Sequence, residues 1–456
     1  MYTTSSLKSK IKLFIYILIP VLVTQVSMNL MSFFDTLMSG QAGAVDLAGV
    51  AIGSNLWIPV FTGINGIILA ITPIISHLHG GKQNQLIANK VYQGIYLSIV
   101  LAIAVIILGA ILINPVLALM DLEDSVKHIA KYYLITLAIG IIPLFIFNTL
   151  RSFIDALGQT RLSMFIMLIA LPINVFLNYI FIFGKFGIPP LGGIGAGIAT
   201  ALTYWLICGI AIIICVRWHV FRPFDLFSSF SKPKIDDWLE QLKIGVPIGF
   251  AIFFETSIFS AVTLLMSVYS TYTIAAHQAA MNFATLLYMI PLSVGIALTI
   301  AVGYEVGAKR LDHAKTYTKI GISSGLFVAL FTGFVLFVFR DPVAALYNST
   351  PEVIDLTRQF IIFAVFYQLA DAIGAPIQGA LRGYKDVNIT LVIALVSYWV
   401  IGLPTGWILA NYTKLEPFGY WVGIIVGLSS GAIALFIRLK VVQRKIAKSE
   451  KSSAAI

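Results

Sequence analysis

Twelve apolar runs, most of them about twenty residues or longer, constrain this chain more than any other feature. They cover approximately 11–37, 44–76, 90–113, 126–150, 160–184 and 192–216, then 238–268, 273–306, 315–339, 352–380, 385–410 and 417–440. Such runs match the thickness of a bilayer, and they do not alternate as the strands of a membrane barrel would. With 59% hydrophobic and 11% charged residues in 456, no soluble domain could hide the apolar surface. The expected fold class is an all-α polytopic membrane protein. Lys8, Lys10 and Lys12 precede a run that continues from Leu13 to about Leu37 with no small-residue cleavage site, so it reads as a retained first span. Cys208 and Cys215, seven residues apart in one span, share a face but lie too far apart along the axis to bond.

An even number of spans puts both termini on one side, and the basic residues choose which. Twenty-three of the thirty Lys and Arg fall in or beside the two tails (Lys8 to Lys12 and Arg438 onward) and in the connections near 77–90, 151–161, 217–234, 307–319 and 382–386. By the positive-inside rule those segments and both termini are cytoplasmic. The net charge of +10 is thus spread over loops as topology signals, and nucleic acid is not an expected partner.

The chain also repeats itself. Pro20 recurs as Pro247, an offset of 227, and the same offset carries Ala48 onto Ala275, Asn55 onto Asn282, Thr72 onto Thr299, Gly80 onto Gly307 and Lys82 onto Lys309. Pro190 and Gly192 fall likewise on Pro417 and Gly419, whereas Ala156-Leu157 pairs with Ala380-Leu381 at 224, implying a short gap. Two six-helix bundles of the same orientation follow, related by an axis along the membrane normal, with a central cleft between them. The expected division is an N-terminal lobe at 1–216, a cytoplasmic linker at 217–237, a C-terminal lobe at 238–440 and a cytoplasmic tail at 441–456.

Inside so apolar a frame, acids stand out. Glu255 lies in a stretch with no Lys or Arg between Lys243 and Lys309, and Asp35 and Asp371 share its situation. A carboxylate at bilayer depth costs about 2.5–3.5 kcal/mol on insertion scales, so an intramembrane acid marks a functional site by default. Tyr367 and Asp371 are one helical turn apart, as are Asn174 and Asn178, and Gln278 and Asn282. On the first span Gln25, Asn29, Ser32 and Thr36 share a face close to Asp35. The amides serve equally well as interhelical hydrogen bonds, His277 reads as a packing donor, and Glu240 and Glu305 read as solvated acids at span ends. A buried acid can be neutralised by a proton, a metal ion or an organic cation, and competition among these is antiport chemistry. Glu255, Asp371 and Tyr367 suit a hard ion such as Na⁺. Phe253, Phe254, Phe259, Phe363 and Phe366 could hold a flat organic cation, or simply pack or face lipid.

These residues resemble the multidrug and toxic compound extrusion (MATE) transporters of the bacterial NorM type. The resemblance is carried by Phe33-Phe34-Asp35-Thr36-Leu37-Met38-Ser39-Gly40, Asp46-Leu47-Ala48-Gly49-Val50-Ala51, Phe254-Glu255-Thr256, Ala276-His277-Gln278-Ala279-Ala280, Asp371-Ala372-Ile373-Gly374 and Ala380-Leu381-Arg382-Gly383-Tyr384-Lys385-Asp386, and it covers essentially the whole chain. It implies export of cationic or amphipathic drugs and dyes, driven by inward Na⁺ or H⁺, by a monomer in the bacterial cytoplasmic membrane with no tightly bound cofactor. It implies a cation site at Glu255, Asp371 and Tyr367, an N-lobe polar network of Asp35, Asn174 and Asn178, and a substrate contact at Gln278, to which Asn282, Phe253 and Phe259 are added as candidates. The external connection at Thr350-Pro351-Glu352 and Asp355 departs from the family pattern of a further acidic drug contact.

The competing readings are weaker. A lipid-linked oligosaccharide flippase of the same superfamily needs Arg or Lys facing its cleft, and none falls mid-span. An intramembrane enzyme is not expected, because no His-Glu-x-x-His pair occurs. Gly-x-Ser-x-Gly occurs only within apolar spans, at Gly321–Gly325 and Gly427–Gly431, where small-residue packing explains it. Asp236-Asp237-x-x-Glu240 reads as acids opening a helix. An ATP-driven pump would need a phosphate-binding Gly-x-x-x-x-Gly-Lys loop that the chain lacks.

Overall fold

The structure is a computed structural model that describes residues 4, 6–120, 122–226, 231–347 and 350–453. The ends of both tails and residues 227–230 of the expected linker lie outside the described residues. The chain is helical, with no strand among the described residues. In order come α1 (Leu7–Ala42), α2 (Ala44–Ile68), α3 (Ile71–Gly80), α4 (Ile87–Leu119), α5 (Asp124–Ala138), α6 (Ile141–Ala156), α7 (Thr160–Phe183) and α8 (Gly193–Arg217). They are followed by α9 (Ile235–Leu265), α10 (Thr271–Gly307), α11 (Leu311–Val338), the short α12 (Arg340–Tyr347), α13 (Pro351–Gly383), α14 (Asn388–Ala394), α15 (Leu403–Tyr412) and α16 (Pro417–Ser453). A π-helical turn, Leu395–Gly402, joins α14 to α15. Eleven segments are long and apolar enough to cross a bilayer, and the pair α5–α6, bent by 51°, makes the twelfth. Each expected apolar run falls on one of these twelve.

The chain divides into two compact units, Ile19–Gly249 and Met1–Leu18 with Phe250–Ile456. The division falls inside α1 and α9, beside the repeat-related Pro20 and Pro247, rather than in the connection at 217–237. A proline within a helix removes one backbone bond and kinks the axis, which makes it a natural place for packing partners to change.

In the unit Ile19–Gly249, α8 packs on α5, α6 and α7 around a core that includes Phe147, Leu150, Phe153, Met167 and Phe221. Cys208 and Cys215 are buried in that core as free thiols. The start of α9 is tied to α4. Lys90 pairs with Asp237 at 2.7 Å and also with Glu240. Fully buried Gln93 donates to the Lys232 carbonyl at 2.8 Å and accepts from Lys234 N at 2.9 Å and Trp238 Nε1 at 3.1 Å. The acids at 237 and 240 therefore anchor a connection as well as open a helix, and Glu240 is not simply solvated.

In the other unit α10 and α13 form the centre: 67% of the most apolar window of α10 and 61% of that of α13 are buried, against 17% for α4. They touch backbone to backbone. A Cβ added at Gly379 would lie 2.0 Å from the Gly295 carbonyl oxygen, and Thr299 Oγ1 donates to the Gly379 carbonyl at 2.9 Å. Small residues permit this approach where hydrocarbon offers no hydrophobic drive between helices. The Gly-x-Ser-x-Gly strings serve the same end. Gly321 abuts Leu298, Gly325 faces the Ala372 carbonyl, and Gly427 meets the backbone of Ser397 and Gly402. Glu305, expected to be solvated, is buried instead and held by Arg310 Nε at 2.7 Å.

The repeat is written into the backbone. α3, α6, α10 and α13 end in the same cap, with a left-handed residue at Lys82, Gly158, Lys309 and Lys385. In each, the next residue's N–H reaches five residues back, from Gln83 to Leu78, Gln159 to Ile154, Arg310 to Glu305 and Asp386 to Leu381. Lys82 to Lys309 and Gly158 to Lys385 are both offsets of 227, which sets Ile154 on Leu381. The gap inferred from pairing Ala156-Leu157 with Ala380-Leu381 is not needed here, because cap geometry outranks a two-residue match.

Gly379→Ala is expected to lower the unfolding midpoint of the purified protein in detergent, since overpacking costs about 1–3 kcal/mol. Gly209→Ala should not lower the midpoint, because an added Cβ there meets nothing within 4 Å and alanine is the better helix former. Equal melting of the two variants would refute the close crossing.

Candidate functional site

Two polar clusters lie inside the helices, one in each unit. In the unit containing α10 and α13, Glu255 of α9 is 5% exposed and Asp371 of α13 is 2% exposed. Glu255 Oε1 accepts from the Tyr288 hydroxyl of α10 at 3.5 Å, and Oε2 accepts from Gln378 Nε2 of α13 at 3.4 Å. Both donors are neutral and both bonds are long. Gln378 in turn accepts from Arg382 Nη2 at 3.2 Å through Oε1. A guanidinium only donates, so the amide must turn its oxygen to Arg382 and its NH₂ to the carboxylate. The sequence puts Arg382 in a cytoplasmic connection, but the structure does not. It belongs to the last turn of α13 and is buried.

Asp371 Oδ2 is buried and accepts no hydrogen bond. Tyr367, one turn back on α13, is also buried, with the Phe259 ring set edge-on to it at 5.6 Å. Glu255, Asp371, Tyr288, Tyr367 and Tyr398 are close enough to interact electrostatically. The π-helical turn brings in Tyr398, and its Trp399 Nε1 donates to the Phe254 carbonyl at 3.1 Å. The expected Glu255, Asp371 and Tyr367 thus share one cluster, joined by Tyr288, Gln378, Arg382 and Tyr398, which sequence reasoning missed. A signal for two of these existed: on an ideal helix Tyr367, Asp371, Gln378 and Arg382 fall within about 60° of one another. Among the described residues no group of three or more His, Cys, Asp and Glu gathers, so the cluster is not a transition-metal set.

Asp35 of α1, 6% exposed, is held differently. Asn178 Nδ2 of α7 donates to its Oδ1 at 2.6 Å, and Thr200 Oγ1 of α8 donates to Oδ2 at 2.7 Å. Asn178 Nδ2 also reaches Asn174 Oδ1 at 3.2 Å, and Asn174 Nδ2 lies 3.4 Å from Thr200 Oγ1 and 3.5 Å from Thr203 Oγ1. The expected trio of Asp35, Asn174 and Asn178 is brought together. Thr200 and Thr203 were missed, because a threonine in an apolar span most often bonds its own helix.

Gln278 and Asn282 stand exposed on one face of α10, continued by Thr285. Phe253, 37% exposed, contacts Phe254 edge-on. His277 is fully buried. Trp421 Nε1 donates to its Nδ1 at 3.1 Å, so the proton sits on Nε2, which donates to Thr263 Oγ1 at 3.1 Å. It packs three helices together.

Thr200→Val is expected to destabilise the protein by about 1.5–3 kcal/mol, the range for a hydrogen bond to a charged group. Thr200→Ser should restore most of that loss. Denaturant unfolding in detergent checks both, and an unchanged Thr200→Val midpoint would remove Thr200 from the network.

Comparison with known proteins bears on the fold and its repeat. Residues 20–180 and again 247–408 match the protein family described as MatE, one copy for each half of the repeat. A probable multidrug resistance protein NorM of Oceanobacillus iheyensis is 69% identical over 98% of this chain and 100% of its own length. One of Bacillus subtilis is 52% identical over 99% and 100%. The eukaryotic MATE transporter AtDTX14 superposes with a TM-score of 0.88 at 22% identity, covering 97% of this chain and 99% of that one. The bent form of the Vibrio cholerae MATE transporter VcmN does so with 0.87 at 21%, over 97% and 99%. At such identities the two solved structures speak for the fold alone.

Proposed function

The chain belongs to the MatE family of multi-pass membrane transporters and is not an enzyme, and from that premise we propose that it exports cationic or amphipathic drugs and dyes by antiport. Alternating access would be driven by inward Na⁺, with H⁺ as the other coupling ion, and both termini would lie in the cytoplasm of a bacterial cell. The observation that carries the reading is the state of the two acids. Asp371 Oδ2 is buried without a donor, and Glu255 has only two long neutral ones. Buried carboxylates need compensation by a partner, and a cation that comes and goes supplies it. Glu255, Asp371 and the Tyr367 oxygen offer the oxygen ligands a hard ion takes. Arg382 is separated from Glu255 by the bridging Gln378 amide, so it lends positive potential without occupying the carboxylate.

Asp35 plays the complementary part. Its two short donors hold both carboxylate oxygens, and a proton or organic cation would have to displace them. Exposed Gln278, Asn282 and Thr285 form a polar stripe on a membrane-crossing helix, unsuited to lipid and suited to a substrate path. Phe259 beside Tyr367 supplies an aromatic face for a flat cation. The flippase alternative gains nothing: buried Arg151 and Arg382 are engaged by Asp155 and Gln378 and are not free for a pyrophosphate.

Purified protein in liposomes is expected to expel a fluorescent cationic dye when a Na⁺ gradient is imposed at fixed pH. Efflux under a pH gradient alone would make the acids proton carriers instead, and efflux under neither would refute cation-coupled export. Glu255→Gln and Asp371→Asn should each reduce driven efflux to the rate of protein-free liposomes while the protein remains folded. Wild-type efflux from both would overturn the site assignment.

A further inference from the structure

The end of α16 and the start of α11 enclose a groove of about 290 Å³ that takes no part in the clusters above. Lys315 and Lys319 enter it from α11, and Lys440 and Arg444 from α16, over a floor that includes Ile322 and Phe436. Four like charges around one groove repel unless an anion joins them. Lys315 has an exposed partner in Asp312 at 3.4 Å. Lys319, Lys440 and Arg444 have no carboxylate partner among the described residues, and neighbouring Arg438 is already bound twice by Asp386 at 2.7 Å. The Lys440 ammonium rests 5.2 Å over the Phe436 ring, which keeps it at the groove.

What distinguishes this groove from a plain anion site is its edge. Just before the basic turns, α16 exposes Ile433 and Ile437, at 63% and 59%, along a membrane-crossing helix. Cations at the end of the span and exposed hydrocarbon immediately inside it match a molecule with a phosphate at one end and acyl chains at the other. Basic pockets between membrane helices bind anionic headgroups in this manner. We propose that the groove between α11 and α16 binds an anionic phospholipid, with its phosphodiester held by Lys319, Lys440 and Arg444 and an acyl chain laid along Phe436 and Ile433. Arg444 offers a planar fork to two phosphate oxygens, while the lysines act as point charges. The bound lipid neutralises the cluster and so stabilises the packing of α11 on α16.

The test is a binding measurement, independent of transport. Purified full-length protein in neutral detergent is titrated with short-chain phosphatidylglycerol, with phosphatidylcholine of the same chain length, and with glycerol phosphate. Lipid adducts are read by native mass spectrometry and stability by thermal melting. Phosphatidylglycerol alone is expected to form adducts and to raise the midpoint. The variant K319Q/K440Q/R444Q should bind it roughly a hundredfold more weakly, since each basic side chain contributes about fivefold. The equally neutralised K82Q/K232Q/K234Q, whose changes lie outside the groove, should bind like wild type. If the triple variant does not fold, the single variants carry the test, each with a loss of about fivefold. Unchanged binding by the groove variants, an equal loss in K82Q/K232Q/K234Q, or stabilisation by glycerol phosphate matching that by phosphatidylglycerol would each overturn the proposal.

Discussion

Hydrocarbon supplies no hydrogen-bond partner, and the rest of this structure follows from that constraint. Each crossing segment must satisfy its own backbone, so every one is a helix. Helices already surrounded by apolar tails gain little by hiding apolar side chains from one another, so they associate by contact and shape. That is why glycines crowd the crossings: Gly295 against Gly379, and Gly406 against Gly423. Close backbone approach in turn brings short and medium side chains from different helices within reach. Thr299 bonds the Gly379 carbonyl, and Tyr288 of α10 and Gln378 of α13 converge on Glu255 of α9.

The same constraint separates the two polar clusters by how completely their acids are served. Asp35 has short donors on both oxygens from two other helices, so the acid itself is fully served, although Asn178 Oδ1 beside it is buried without a partner. Asp371 keeps one buried oxygen without a donor, and Glu255 is held loosely. A saturated acid holds helices together and gives up its partners reluctantly. An underserved one is left with an uncompensated burial cost, which is the basis of the cation site proposed above. The internal repeat has thus preserved caps and crossings in both halves, while the polar side chains inside them have taken different chemistry.

Donor-only groups impose direction on several of these contacts. Arg382 fixes the orientation of Gln378, and so fixes which end of the amide Glu255 meets. Trp421 fixes the tautomer of His277 in the same way, leaving a neutral ring that donates to Thr263. Position along a helix does not reveal such polarity; it depends on which partner comes from the facing helix.

Much of the architecture was legible in the chain itself, because length and hydropathy of a run decide whether it crosses a bilayer. The twelve spans, the two-fold repeat and the isolation of Glu255, Asp371 and Asp35 in apolar surroundings all follow from local sequence. So do the i, i+4 pairs Tyr367–Asp371 and Asn174–Asn178, since helical periodicity alone puts them on one face. Only the tertiary structure decided which helices meet. It brought Thr200 to Asp35 and Tyr288 to Glu255, and buried Glu305 and Arg382, which sit at helix ends where sequence suggests solvent. The physical reason is that periodicity encodes the direction of a side chain from its own axis, whereas its partner is set by how closely the glycines let two axes approach.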